Sequence, residues 1–144
     1  MQFEQDLELW KQVEREFAQK LFKYDIVSIE FMQWEFKDYD IKAKFRKDGQ
    51  LVERTYEVKI DTISNRSWKV AFEYECNWKP SWIISSKADY IVYKLGDDFY
   101  YTERWRLINE LMEWSKEKAQ GWNYWRSKLW IIPKELFFLI AHKM

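Results

Sequence analysis

Period-2 alternation marks the middle of the chain. Over residues 38–45, Tyr39, Ile41, Ala43 and Phe45 alternate with Asp38, Asp40, Lys42 and Lys44, the pattern of a strand with one apolar and one polar face. Tyr56, Val58 and Ile60 then alternate with Thr55, Glu57, Lys59 and Asp61. Asp48-Gly49 lies between the two runs and favours a two-residue type I′ turn, so residues 38–61 predict a β-hairpin in which Lys47 pairs with Gln50. That register sets Asp40 opposite Glu57 on the polar face, with Lys59 on the same face beside Asp38.

Helical spacing appears on both sides of the hairpin. Leu7, Trp10, Val13, Phe17 and Leu21 recur three or four residues apart, the stripe of a core-facing helix that Asp6 would cap and Glu14 would flank. Residues 24–36 are rich in β-branched and aromatic side chains and predict a first strand, giving a helix followed by three antiparallel strands. Residues 61–66 read as a polar loop. Residues 69–76 alternate Val70, Phe72, Tyr74 and Cys76 with Ala71, Glu73 and Glu75, a further strand. Pro80 opens a segment over 81–87 expected to form a crossover helix. The apolar run over 90–95 predicts a buried strand added in parallel.

Gly96-Asp97-Asp98 marks a turn, with a strand expected over 99–102. A helix follows over 104–119, its stripe formed by Trp105, Ile108, Leu111, Met112 and Ser115. A strand over 129–132 precedes a short helix over 134–140 begun by Pro133. The dense apolar content of that last segment predicts a homodimer. The pattern as a whole predicts one α/β domain over residues 1–144, a central mixed sheet flanked by helices. Residues 6–95 would form its core, and 96–144 a C-terminal helical and aromatic extension.

Composition narrows the chemistry. A chain of 144 residues, 47% hydrophobic and 33% charged, is globular and can bury a sizeable core. No run of about 18 apolar residues is present, so neither a membrane partner nor a membrane span is expected, and the reading is a cytoplasmic, intracellular protein. Cys76 and His142 are each the sole residue of their type, which rules out an internal disulfide framework and a cysteine zinc site. Acyl-transfer triads lean on the same residue types, so chemistry falls to carboxylates and lysine; His142 reads as a surface residue. The formal net charge is zero, against the broad basic surface of tight non-specific nucleic-acid binders. The ten tryptophans fit core and interface packing better than base stacking.

Two readings of the polar hairpin face stand. Opposed carboxylates are unfavourable unless a cation is shared, and paired carboxylate oxygens suit a hard ion such as Mg²⁺. A solvated hairpin face in a charge-rich chain produces the same spacing, and on spacing alone it is the commoner explanation. Asp61, Glu73 and Glu75 are open in the same way, as further ligands or as ordinary exposed acids.

The pair Tyr39-Asp40-Ile41 and Glu57-Val58-Lys59 resembles the paired motifs of the PD-(D/E)XK nuclease superfamily, which lie on adjacent strands. Glu14-Arg15-Glu16-Phe17 resembles the first-helix acidic motif of Holliday junction resolvases. Phe72-Glu73-Tyr74-Glu75, Lys79-Pro80-Ser81 and Ser86-Lys87-Ala88-Asp89-Tyr90 resemble a segment of small phage-type endonucleases, compatible with a viral or mobile-element source. Tyr39 replaces the superfamily's Pro, and Trp82 stands where the phage-type proteins usually have Gly. The resemblance spans roughly residues 10–95. It implies a restriction-endonuclease-like core of order αβββαβ and Mg²⁺-dependent, or Mn²⁺-dependent, hydrolysis of DNA, with junctions or flaps as candidate substrates. Asp40, Glu57 and the Val58 carbonyl would hold metal, Lys59 would act in catalysis, and Glu14 would supply a third carboxylate. Lys79, Ser81, Ser86 and Lys87 would contact substrate phosphates. The alternative is a non-catalytic nucleic-acid-binding or virion assembly protein on the same fold.

Overall fold

The structure, a computed structural model, describes residues 2–33, 38–61, 69–76, 79–80, 82–118, 122–124 and 127–144. The first helix, α1 (Gln2–Leu21), begins before Asp6, so Asp6 lies within the helix and does not cap it. Val13, Phe17 and Leu21 are buried as their spacing predicts, but Trp10 at the other end of the stripe is 55% exposed. Three strands follow in antiparallel succession, β1 (Asp25–Phe31), β2 (Ile41–Lys47) and β3 (Gln50–Asp61). The end of the predicted first strand, residues 34–36, falls outside the described residues.

The turn and register of the hairpin are as the alternation predicts. Asp48 and Gly49 both have positive φ, 53° and 78°, as a type I′ turn requires, and Lys47 pairs with Gln50. The ladder runs back in the same register to Ile41 and Tyr56.

After β3 the chain leaves this sheet. The strand β4 (Lys69–Cys76) pairs with β5 (Lys79–Pro80) and with a strand far downstream, building a second sheet. The expected crossover helix is a four-residue turn of helix, α2 (Trp82–Ser85). The chain then returns as β6 (Tyr90–Leu95), which adds to β3 in parallel as its apolar run predicts. An antiparallel strand, β7 (Asp98–Glu103), follows beside it.

The C-terminal segment is part of the core and not an extension of it. Helix α3 (Arg104–Lys118) leads into β8 (Trp122–Tyr124) and β9 (Ser127–Pro133), and β9 pairs with β4. Helix α4 (Lys134–Ile140) then brings β10 (His142–Lys143) back to pair with β7. Pro133 is the N-cap of α4 and not its first helical residue. The result is an α/β fold with a mixed six-stranded sheet, order β1-β2-β3-β6-β7-β10, and a four-stranded sheet, order β5-β4-β9-β8.

Each face of the six-stranded sheet has its own core. Val13, Phe17 and Leu21 of α1 pack on Ile41, Ala43, Tyr56, Val58, Val92 and Phe99. On the other face Ile91, Tyr93 and Leu95 meet Val70, Phe72 and Ile132 of the second sheet, together with Leu107, Leu111 and Phe137. Burial of each such side chain is worth about 1.5–3 kcal/mol. The buried face of α3 is rotated from the predicted stripe: Leu107 and Leu111 are buried, whereas Trp105 and Met112 are 61% and 49% exposed. Among the described residues no helix is long and apolar enough to cross a membrane.

Candidate active site

The site forms where β3 exchanges neighbours. Its first half pairs with β2 as far as Tyr56, and from Tyr56 onward it pairs with β6. Asp40 sits just before β2, and its backbone N–H donates the last bond of that ladder, 2.9 Å to the Tyr56 carbonyl. The next inward N–H of β3, that of Val58, donates instead to Asp40 Oδ2 at 2.8 Å. The carboxylate thus takes the place of the main-chain acceptor that the departing strand removes.

Two residues further back, the chain meets a different segment. The Asp38 carbonyl accepts from the Lys87 N–H at 2.7 Å and from Ser86 Oγ at 3.1 Å, and Lys87 Nζ lies 4.0 Å from Asp38 Oδ1. Asp38 is therefore tied to the segment that follows α2. Ser86, expected at a phosphate, is only 3% exposed. Its hydroxyl also accepts from the Ala88 N–H at 3.1 Å and lies in hydrogen-bond reach of Glu57. It tethers strand, loop and carboxylate.

Asp40 and Glu57 come together as the register predicts, but the face they share is not solvated. Glu57 is 7% exposed, and its carboxyl is hydrogen-bonded to that of Asp40. Burial first, and the neighbouring Asp40 charge second, push the Glu57 carboxyl up to about 8, with Lys59 and Ser86 opposing. Burial also raises Asp40, against the opposing Val58 N–H and Lys59. Lys59 Nζ lies 4.0 Å from Glu57 Oε1 and 5.5 Å from the centre of the Trp10 ring on α1.

Glu14 reaches the same field from α1. Its carboxyl is raised to about 7, chiefly by burial and then by the Asp40 charge, with Lys59 opposing. Three acids whose carboxyls are all raised therefore gather beside the Lys59 ammonium. Among the described residues no three metal-ligating side chains converge closely enough to form a ready cation cage. The geometric pair is Asp40 and Glu57.

The remaining candidates divide. Lys87 is on the rim with its side chain 75% exposed. Val58 is buried, its N–H committed to Asp40. Ser81 and the side chains of Asp61, Glu73, Glu75 and Lys79 fall outside the described residues.

Two supporting groups were not singled out from the sequence. Arg104, at the start of α3, donates from Nε to the Ile83 carbonyl at 2.9 Å and from Nη2 to the Ile84 carbonyl at 2.6 Å, fixing α2. Burial lowers its pKa and the Glu57 charge opposes this, so its guanidinium lies within the field of the site. Asp89 clasps β3: its Oδ2 accepts from the Thr55 N–H at 3.0 Å and from the Thr55 hydroxyl at 3.1 Å. An arginine at a helix start and an aspartate before a strand carry no local signal of such partners.

In comparisons with known proteins, no family model, no curated protein and no solved structure matches this chain.

Proposed function

We propose that the protein is a metal-dependent endonuclease of the PD-(D/E)XK type that hydrolyses DNA phosphodiester bonds. The observation that carries this reading is the hydrogen-bonded pair of part-buried Asp40 and buried Glu57 with Lys59 alongside. A solvated hairpin face gives no reason for two acids to be desolvated against each other. The element order supports the same reading: helix, three antiparallel strands, then β6 parallel to β3 after a crossover, with the acids at the point of divergence. The short α2 and the inserted second sheet are this chain's departures from the αβββαβ pattern.

The donor set fits a hard divalent cation. All donors are oxygens, and Mg²⁺ binds through one or two carboxylates while keeping several waters, so a closed protein cage is not required. Asp40 and Glu57, with the Val58 carbonyl as the resemblance implies, would hold Mg²⁺ or Mn²⁺. When bound, the ion would supply Lewis acidity toward a phosphoryl oxygen and make water a stronger acid. Asp40 also keeps β3 in place through the Val58 N–H, which fixes its other carboxylate oxygen in direction. Lys59 would orient the attacking water and offset charge that builds on the phosphate. Ser86 would position Glu57, and Lys87 on the rim would meet the DNA backbone.

The test is cleavage of labelled four-way junction, flap, duplex and single-stranded DNA with Mg²⁺ or Mn²⁺, wild type against Asp40→Ala. Cutting that requires metal and vanishes in the variant is the expected result. Folded wild-type protein that cuts none of the four overturns it.

A second reading has one observation in its favour. Two carboxyls that share a proton, one of them also accepting from the Val58 N–H, satisfy each other without a cation. On that reading the domain binds nucleic acid or takes part in virion assembly and does not cut. Homodimer formation belongs with either reading, and Leu139 of α4, 78% exposed, is the side chain that would serve it.

A further inference from the structure

The opposite face of the six-stranded sheet carries a second constellation, on residues distinct from the carboxylate cluster. Alternation along β3 points Arg54 and Tyr56 away from Glu57, toward the α1 side of the sheet. Past the C-terminal end of α1, a cavity of about 280 Å³ opens there between the hairpin, β6, β7 and the start of α3. Lys47, Arg54, Arg106 and His142 line it, and Glu103 is its one carboxylate. In a chain with zero net charge this is a local excess of positive charge.

The cations are not spent on ion pairs. Among the described residues Lys47, Arg54 and Arg106 make no salt bridge, whereas Lys42, Lys44, Lys59, Lys87, Lys94 and Lys143 each do. Arg54 is held by rings instead, its guanidinium carbon 5.0 Å from the Phe45 centroid and 5.1 Å from that of Tyr90. Stacking occupies the faces of a guanidinium and leaves its in-plane N–H donors for a planar or tetrahedral oxyanion. One of those donors is in hydrogen-bond contact with the Tyr56 hydroxyl, which fixes the fork in direction.

Aromatic surface lines the same cavity. Tyr90 and Tyr101 meet edge-on at 6.0 Å, and the exposed His142 ring lies 5.2 Å from Tyr101. We propose that this pocket binds a nucleotide, the phosphate held by Arg54, Lys47 and Arg106 and the base laid against the rim rings Tyr24, Tyr101 and His142, since Tyr90 is already stacked on Tyr56 at 5.6 Å and covered by Arg54. The combination of an oriented arginine fork with aromatic rings in the same lining favours a nucleotide over a carboxylate-bearing peptide. The volume is at the lower end of small-ligand clefts and suits one nucleotide unit, not a dinucleotide.

Calorimetric titration of the full chain with thymidine 5′-monophosphate, thymidine and inorganic phosphate tests this, with no divalent metal added so that the outcome is independent of cleavage. The monophosphate is expected to bind at least about tenfold more tightly than either half. The doubly substituted Lys47→Glu, Arg106→Glu protein, altered only at exposed positions and checked for its fold by circular dichroism, is expected to lose at least about tenfold. A 5′-phosphorylated trinucleotide that binds more tightly than the monophosphate assigns the pocket to a DNA strand; equal affinity assigns it to the free nucleotide. The proposal is overturned if the monophosphate binds no better than inorganic phosphate, or if the substituted protein binds it as wild type does.

Discussion

At the turn end of the hairpin, Glu53 meets Lys42 at 3.7 Å and Lys44 at 3.9 Å, with half of the Glu53 side chain in water. At the open end, on the same face and in the same register, buried Glu57 lies against part-buried Asp40. The sequence writes both ends as acids and lysines in alternation. What separates them is cover: the segment after α2 closes over the open end, whereas Arg46 to Leu51 at the turn end are exposed. Charge at the turn end is solvated and matched; charge at the open end is withdrawn from water and matched only in part, and the divalent cation proposed above would complete the match. The contrast can be sharpened by substitutions along this one face.

The largest effect is expected from Lys59→Ala, which removes the ammonium beside the pair. Cleavage is expected to fall ~10²-fold or more while DNA binding is retained, read by cleavage and anisotropy assays on the same substrate. Cleavage at the wild-type rate would remove Lys59 from the mechanism. Next comes pH. The carboxyl of Glu57 is raised from the ordinary carboxylate range to about 8, so the folded state holds its proton more tightly than the unfolded chain does. Stability from this group is complete below the unfolded pKa and is lost as pH rises through the folded one. In metal-free protein the melting temperature should therefore fall from about pH 4.5 to about pH 8, and Glu57→Gln should flatten that slope. An unchanged slope in the variant would show that the burial of Glu57 has no such cost.

Glu14→Gln should act more weakly, because Glu14 joins the field of the site from α1 and not from the hairpin. A loss of about tenfold in activity or metal affinity, with the fold intact, is expected. A complete loss would make it a direct ligand. The smallest effect belongs to the turn end: Glu53→Ala should leave the melting temperature within about 2 °C and cleavage unchanged, since exposed pairs contribute little.

Local rules made much of this readable. Asp48-Gly49 specified the turn, the turn specified the register, and the register brought Asp40 to Glu57. The run of β6, apolar except for Lys94, marked a strand largely buried on both faces. Partners far apart in the chain were not readable. Alternation in β4 tells which of its side chains share a face but not that the strand pairs with β9, so the second sheet and the burial it brings to the site were hidden. For the same reason Ser86 reads as a solvent-facing hydroxyl, and nothing local shows that Asp38 leaves the sheet to meet it. The stripe of α3 was misread because Trp105 and Met112 fall on its solvent side while Leu107 turns inward.

The most direct measurement is calorimetric titration of Mn²⁺ into metal-free protein near neutral pH, repeated in buffers of different ionisation enthalpy and with Asp40→Asn. One site is expected, with proton release on binding because Glu57 gives up the proton that its burial favours, and with both signals absent in the variant. No Mn²⁺ binding by the folded wild-type protein, or binding that persists unchanged in Asp40→Asn, would contradict a cation-sharing role for the buried pair.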